Sequence, residues 1–151
     1  MLKQKLENLV ENRNFEIHNH DIISESIMEF NNSFLSFCEQ ALVKGLYFIK
    51  LKKLLFEDKV WGWGEWAAKN ITIESKRNRQ KYMKLARREE CFQYTFLGVD
   101  RLDYLCSVTK NNPTCKTFSE FFEKHSISDV TKENINVIHQ IDDAINKERG
   151  K

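Results

Sequence analysis

Apolar residues recur at spacings of four and three between Ile23 and Phe56, and this periodicity narrows the possible folds more than any other feature of the chain. The spacing places the side chains on one face of an α-helix. The residues of this apolar face are Ile23, Ile27, Phe30, Phe34, Leu35, Phe37, Cys38, Ala41, Leu42, Leu46 and Ile49. We therefore predict one long central helix that is capped by Asp21 and packs on several sides. A dimer seam along this helix is the alternative to a core.

The composition favours an all-α protein with one domain. A chain of 151 residues suits a single core, and its 41% hydrophobic and 30% charged residues exclude global disorder. One Pro and five Gly are few for the many tight turns of an all-β protein. We predict a single-domain helical bundle over residues 1–151 with about six or seven helices.

Targeting and redox features indicate a cytoplasmic protein. No apolar run approaches the ~18 residues that span a bilayer, and the charged start of the chain has no signal-peptide core. The chain has no CxxC pair, so we expect free, buried thiols at all four cysteines. These cysteines are Cys38, Cys91, Cys106 and Cys115. His18 and His20 have no identifiable further ligands, and we therefore expect no metal and no cofactor.

The net charge of +2 conceals a strongly basic middle segment. Residues 1–40 contain three basic and seven acidic side chains, residues 41–90 thirteen and six, and residues 91–151 eight and nine. A local concentration of charge steers partners more strongly than the total charge does. If the chain binds nucleic acid, the middle segment is the expected surface.

The basic charge concentrates between Ser75 and Arg88, where seven of fourteen residues are Lys or Arg. Arg77, Lys81, Lys84 and Arg88 have the offsets of one narrow helix face. No acidic residue lies within this segment, so its like charges repel one another unless a partner neutralises them. This pattern favours a polyanionic partner, either nucleic acid or an acidic protein surface.

The opposite face of the same predicted helix is mostly apolar. Tyr82, Leu85 and Ala86 lie on it, and Arg79 points to the same side. We expect Arg79 to form an internal salt bridge or to extend its charged end outward past the apolar surface.

An aromatic segment and a turn precede the basic helix and complete the outline of a helix-turn-helix over about residues 61–90. WGWGEWAAKN predicts a short helix from Gly62 or Gly64, and ITIE predicts the turn, with Ile71 and Ile73 filling the joint. The tryptophans either clamp the short helix to the long one or form a platform on which bases stack.

Gly45 interrupts the interior of the predicted long helix. A glycine at this position indicates either the close approach of another helix or a kink.

The last third of the sequence predicts further helices. A break at Gly98 separates one helical turn from the next helix, Thr117 and Glu120 fit a capping box, and Thr131 is expected to cap the last helix. The residues expected to line that last helix are Ile135, Ile138, Ile141 or Asp142, and Ile145. We expect Asp142 and Asp143 to face solvent.

Short motifs between Gly45 and Ala86 fit the pattern of a known family. Gly45, Phe48 and Lys52 approximate G-x-x-L-x-x-x-K, Trp63 and Trp66 fit aromatic-x-x-W, and YMKLA at 82–86 fits Y-M-x-L-A. With the later FLGVDRLDYL, residues 45–105 resemble a domain of unknown function from phage and plasmid proteins of low-GC bacteria. The chain departs from the family at Arg79, where a small residue is usual, and at Trp61, where a Gly is expected.

The resemblance implies a mobile-element or defence-associated setting with DNA binding, and it implies no reaction. The sequence also leads us to expect that the chain is not an enzyme, because it contains no Gly-rich phosphate loop, GxSxG, HExxH or CxxC motif.

The predicted function is therefore non-enzymatic, regulatory DNA binding through the helix at residues 75–88. Side chains near its start are expected to reach base edges, and the later ones to contact phosphates. The expected binding residues are Lys76, Arg77, Gln80, Lys81, Lys84, Arg87 and Arg88, with Arg79 as a further candidate at the base edges. The alternative is an adaptor or accessory subunit that docks an acidic partner protein through the same face. A homodimer is compatible with both.

Overall fold

The computed structural model describes residues 1–13, 15–16, 19–57 and 61–150. Regular secondary structure in these residues is entirely helical, with eight α-helices and two 3-10 helices, which confirms the all-α prediction. Among these residues, no helix has both the length and the apolar character that a membrane span requires. The chain divides into two compact units, Met1–Phe92 and Gln93–Lys151. The single domain predicted over residues 1–151 stays a prediction.

Five α-helices build the first unit. They are α1 (Leu2–Glu11), α2 (His20–Asn31), α3 (Phe37–Phe56), α4 (Trp63–Asn70) and α5 (Lys76–Ala86), followed by a 3-10 helix at Glu89–Phe92. The central helix α3 packs against α1, α2 and α5, and Leu42, Phe48 and Leu51 on it are fully buried. Two helices, α4 and α5, joined by the short segment 71–75, occupy the residues where the sequence predicts a helix-turn-helix, and the helix-turn-helix packing itself stays a prediction.

The single long helix predicted for this region is wrong, because the chain breaks between α2 and α3. The Ser36 hydroxyl accepts the Glu39 N–H at 3.2 Å, and the Glu39 carboxylate accepts the Ser36 N–H at 3.0 Å. This reciprocal cap favours a new helix start at Ser36. Phe34 and Phe37, which we predicted in the core, are consequently exposed.

The start of α2 also differs from the prediction. Asn19 caps the helix by accepting the Ile22 N–H at 3.1 Å, and Asp21 lies in the first turn instead. A carboxylate there still interacts favourably with the helix dipole. Of the predicted His18/His20 pair, His18 lies outside the described residues, and His20 contacts the Thr72 hydroxyl.

Aromatic rings join α2 to α3 in the core of the first unit. The Tyr47 ring meets the Phe30 ring edge-to-face at 5.5 Å between centroids and lies 6.1 Å from the Phe48 ring. Burial raises the pKa of Tyr47, and a hydrogen bond with the buried Ser26 partly offsets this rise. Such ring pairs add specific geometry to the area that α2 and α3 bury together.

Gly45 allows α3 and α5 to approach closely, which confirms the close-contact alternative for this residue. A Cβ atom on Gly45 would lie 2.2 Å from the Tyr82 carbonyl oxygen and 2.8 Å from the Ala86 Cβ. The obstacle is backbone, so the contact cannot be relieved by a change of rotamer. The side chain of any other residue would therefore separate the two helices.

Gly45→Ala should lower the free energy of unfolding by about 2 kcal/mol, because the cost of overpacking exceeds the roughly 1 kcal/mol that Ala gains over Gly within a helix. Urea unfolding measures the change. The matched control is Gly64→Ala on α4, where a Cβ would have nothing within 4 Å. The control should be neutral or stabilising, and equal effects of the two changes would contradict the close contact.

Trp63 and Trp66 clamp α4 to the end of α3. Their rings stack at 5.7 Å, and each meets the Phe56 ring edge-on, at 6.0 and 6.1 Å. The clamp is thus confirmed for two of the three tryptophans, while Trp61 is 76% exposed. In the joint that follows, Ile71 is buried as predicted, but Ile73 is exposed.

The second unit contains a 3-10 helix at Thr95–Leu97 and three α-helices. They are α6 (Val99–Thr109), α7 (Phe118–Lys124) and α8 (Asn136–Arg149). Gly98 has a φ of 87° and makes the predicted break, since L side chains rarely adopt this conformation. Thr117 caps α7 as predicted by accepting the Glu120 N–H at 3.0 Å. Within the unit α6 packs against α7.

The prediction that Thr131 caps the last helix is wrong, because α8 begins five residues later and has no side-chain cap. Ile135 therefore precedes the helix and is exposed. The buried residues of α8 are Val137, Ile141, Ala144 and Ile145.

Asp142 keeps 41% of its side chain exposed and also binds Arg101 on α6. The guanidinium donates two hydrogen bonds to the carboxylate, at 2.7 and 2.9 Å. This contact lowers the pKa of Asp142 and raises that of Arg101. The paired geometry joins α8 to α6 within the second unit.

The stability that this pair contributes should disappear in acid. The pKa of Asp142 is lower in the folded chain, so the contribution is complete above the ordinary Asp pKa of about 4 and is lost as the pH falls through the lowered value. The difference in free energy of unfolding between wild type and Asp142→Asn should therefore shrink between about pH 5 and pH 2. Asp143→Asn, at an exposed position, is the control, and a difference that stays constant with pH would contradict the assignment.

Candidate nucleic-acid interface

The basic helix α5 begins where the sequence predicts and ends earlier. Ser75 caps it by accepting the Asn78 N–H at 3.1 Å. The helix ends at Ala86 rather than near Glu90, because the chain then tightens into the 3-10 helix that buries Cys91 and Phe92. Arg87 and Arg88 therefore lie just beyond the helix.

The apolar face of α5 is buried as predicted. Tyr82, Leu85 and Ala86 face the core together with Met83. Arg79 points inward too and is only 3% exposed. The expected salt bridge of Arg79 is not found among the described residues, and burial lowers the pKa of its guanidinium.

The most exposed face of α5 is rotated from the predicted stripe. Lys76, Arg77, Gln80 and Arg87 are exposed, and Lys84 is half-buried. At 100° per residue, the centre of this exposed face lies roughly 60° from the centre of the predicted one. We call these five residues the basic face.

The other predicted contact residues are already engaged within the protein. Arg88 donates to Glu90 at 2.9 Å, so an acidic residue just beyond the helix neutralises part of the stripe. Lys81 is half-buried, and both Lys81 and Lys84 make interactions of their own. The expectation that the stripe is free of internal acidic partners is therefore wrong for Arg88.

A buried ion pair holds the start of α5 on α3. The Lys44 ammonium lies 2.5 Å from the Glu74 carboxylate, and the two side chains are 6% and 10% exposed. Glu74 also accepts a hydrogen bond from Asn78 at 3.5 Å, and the Lys44 ammonium lies 5.1 Å from the centre of the Tyr82 ring. These contacts set which side of α5 faces outward. Nothing in the sequence alone pairs Lys44 with a residue thirty positions later.

Glu74→Gln should lower the free energy of unfolding by about 3–5 kcal/mol, because it leaves the buried Lys44 ammonium without a counter-charge. Adding Lys44→Met should recover most of the loss, since the pair is then replaced by uncharged groups. The control is Glu89→Gln, which breaks an exposed pair with Lys3 at 3.7 Å and should cost less than about 1 kcal/mol. Losses of similar size at both positions, measured by urea unfolding, would contradict the burial of the Lys44 pair.

The second unit has a surface cavity of about 430 Å³ between the end of α7 and α8. Lys124, His125, Gln140, Asp143 and Lys147 are among its lining residues. Glu148 fixes one wall by accepting hydrogen bonds from Lys124 and His125, each at 2.9 Å. The cavity therefore mixes both signs of charge and shows no preference for a polyanion.

The cysteine thiols and the candidate metal ligands of the described residues bear on catalysis and metal binding. All four cysteines are buried and form no disulfide, as predicted. Burial raises the pKa of Cys38 to about 12 and also raises that of Cys115, so both are neutral thiols and weak nucleophiles at neutral pH. Residues 1–13, 15–16, 19–57 and 61–150 contain no group of three His, Cys, Asp or Glu side chains placed to hold a metal ion.

Comparisons with protein-family models, with curated proteins and with solved structures found no match for this chain. The resemblance to the phage and plasmid family stays a prediction.

Proposed function

We propose that the protein binds DNA through the basic face of α5 and has no enzymatic activity. The observation that carries the proposal is the exposure of Lys76, Arg77 and Arg87 on one surface whose helix has no acidic residue in its first turn. Cations on such a surface attract the phosphate backbone of DNA. Gln80, which is also exposed, lies among them and can hydrogen-bond to a base edge.

The way α5 is held supports this function. The contact at Gly45 and the Lys44–Glu74 pair fix the helix to α3 by its inner face, so the basic face stands outward on a rigid support. A rigid support lowers the ordering cost of binding. In a helix-turn-helix the second helix contacts bases with residues near its start, and Lys76, Arg77 and Gln80 occupy that region here.

The resemblance of residues 45–105 to the phage and plasmid family supports a regulatory role in a mobile-element or defence system. This setting is part of the proposal, as is a cytoplasmic location.

Arg77→Glu combined with Arg87→Glu should abolish measurable binding of duplex DNA at moderate salt. Each lost phosphate contact should reduce the slope of log K against log [salt] by about 1, so the double change should reduce it by about 2. Fluorescence anisotropy with a labelled duplex of mixed sequence measures both effects, and circular dichroism confirms that the variant stays helical.

The control for this experiment carries the same charge change elsewhere. Lys110 and Lys132 are exposed in the second unit, and replacing both with Glu should leave the salt slope unchanged. Equal losses in the two double variants would show that only total charge matters. Unchanged binding after the changes on α5 would remove the basic face from the function.

The second candidate is an adaptor that docks an acidic protein through the same face. Three exposed apolar side chains in the first unit, Met28, Phe34 and Phe37, favour protein contacts in general. A protein complex with an apolar centre should survive nuclease treatment and should lose affinity less steeply with salt than a DNA complex, which nuclease treatment should abolish.

A further inference from the structure

Arg79 is a buried cation that the protein leaves without an acidic partner. The residue is 3% exposed, and its Nε is fully enclosed without a hydrogen-bond partner. No ion pair or side-chain hydrogen bond of Arg79 is found in the part of the chain that the structure describes. Buried charges in proteins are normally paired, because an unpaired one loses its hydration without compensation.

The nearest acidic residue in sequence does not neutralise Arg79. Glu74 lies at the start of α5, but its carboxylate is taken by the Lys44 ammonium at 2.5 Å and by the Asn78 amide at 3.5 Å. Arg79 therefore keeps a buried positive charge that no carboxylate among the described residues offsets. The excess positive charge favours an external anion.

The start of α5 supplies further donors for an anion. The Ser75 side chain accepts only the Asn78 N–H, and the Ser75 carbonyl accepts the Arg79 N–H, so the N–H groups of Lys76 and Arg77 have no acceptor within the helix. Helix side chains lean toward the N-terminus, so we expect the Arg79 guanidinium, one turn after the Ser75 cap, to extend toward these free N–H groups. Lys76 and Arg77 are themselves exposed, so this end of the helix is open to solvent.

We propose that Arg79 and the first turn of α5 form a binding site for a single phosphate group. A guanidinium fork and free N–H groups at a helix start are the donors that phosphate oxygens accept best. The phosphate belongs either to inorganic phosphate or to a mononucleotide. The site adjoins the basic face, since both include the first turn of α5, but its charged donor, Arg79, lies on the inner side of the helix and the polynucleotide contacts lie on the outer side.

Thermal unfolding of the full chain tests the site, with inorganic phosphate and adenosine monophosphate as separate probes at constant ionic strength. The melting temperature of wild type should rise saturably, by about 3–5 °C at a tenfold excess of phosphate over its Kd. Arg79→Met should melt higher than wild type without phosphate, because it removes the unpaired charge, and should not respond to either probe. Arg79→Lys, which keeps the charge but loses the fork, should respond at several-fold higher phosphate.

The two probes distinguish the source, because a response to adenosine monophosphate at much lower concentration indicates a nucleotide site. Equal responses of wild type and Arg79→Met would be a general effect of the anion on stability and would overturn the proposal. The proposal would also be overturned if the melting temperature of wild type did not rise with phosphate, or if Arg79→Lys responded like wild type. Arg87→Glu should keep the full phosphate response, so this result is independent of whether the basic face binds DNA.

Discussion

The first unit depends on the close approach of α3 and α5 at Gly45. Because Gly45 has no side chain, the Tyr82 carbonyl and the Ala86 methyl group lie where a Cβ would be. This contact brings the apolar side of α5 against the central helix, and Tyr82, Leu85 and Ala86 are buried as a result. The polar side of α5 is then directed outward. The orientation of the candidate interface therefore depends on the absence of a side chain at Gly45 on α3.

Buried charges add orientation to this contact rather than stability. The Lys44–Glu74 pair is almost fully enclosed, and such pairs gain little over apolar groups of equal size. The pair instead constrains the rotation of α5 about its axis, because Glu74 at the start of α5 must stay within reach of Lys44 on α3. Arg79 has no such partner, and its burial costs free energy that an apolar residue would not cost. The phosphate group proposed above would give this charge a partner.

Much of the local structure could be predicted from the sequence, because helix periodicity and capping act over a few residues. The start of α4, the cap at Thr117 and the break at Gly98 follow from such local signals. The break between α2 and α3 was also visible in principle, since Ser36 and Glu39 form a capping box, but the continuous apolar periodicity outweighed it. The same periodicity placed Phe34 and Phe37 in the core, although both are exposed.

The errors in the candidate site have a different cause, since they depend on residues far apart in the chain. The helical wheel assigned Arg88 to an open stripe, but helix α5 ends at Ala86 and Arg88 pairs with Glu90. The pairing of Lys44 with Glu74, and of Arg101 with Asp142, requires the packing of separate helices. The inward direction of Arg79 could be predicted from the wheel, but the absence of a counter-charge could not, because it depends on every neighbour in the core.

The close contact between α3 and α5 can be observed directly by nuclear magnetic resonance. The account predicts a strong nuclear Overhauser effect between the Gly45 α-protons and the Ala86 methyl group, since an atom attached to Gly45 would nearly touch that methyl group. Absence of this signal in a chain whose carbon chemical shifts show α3 and α5 to be helical would contradict the account, because the two helices would then not meet at Gly45.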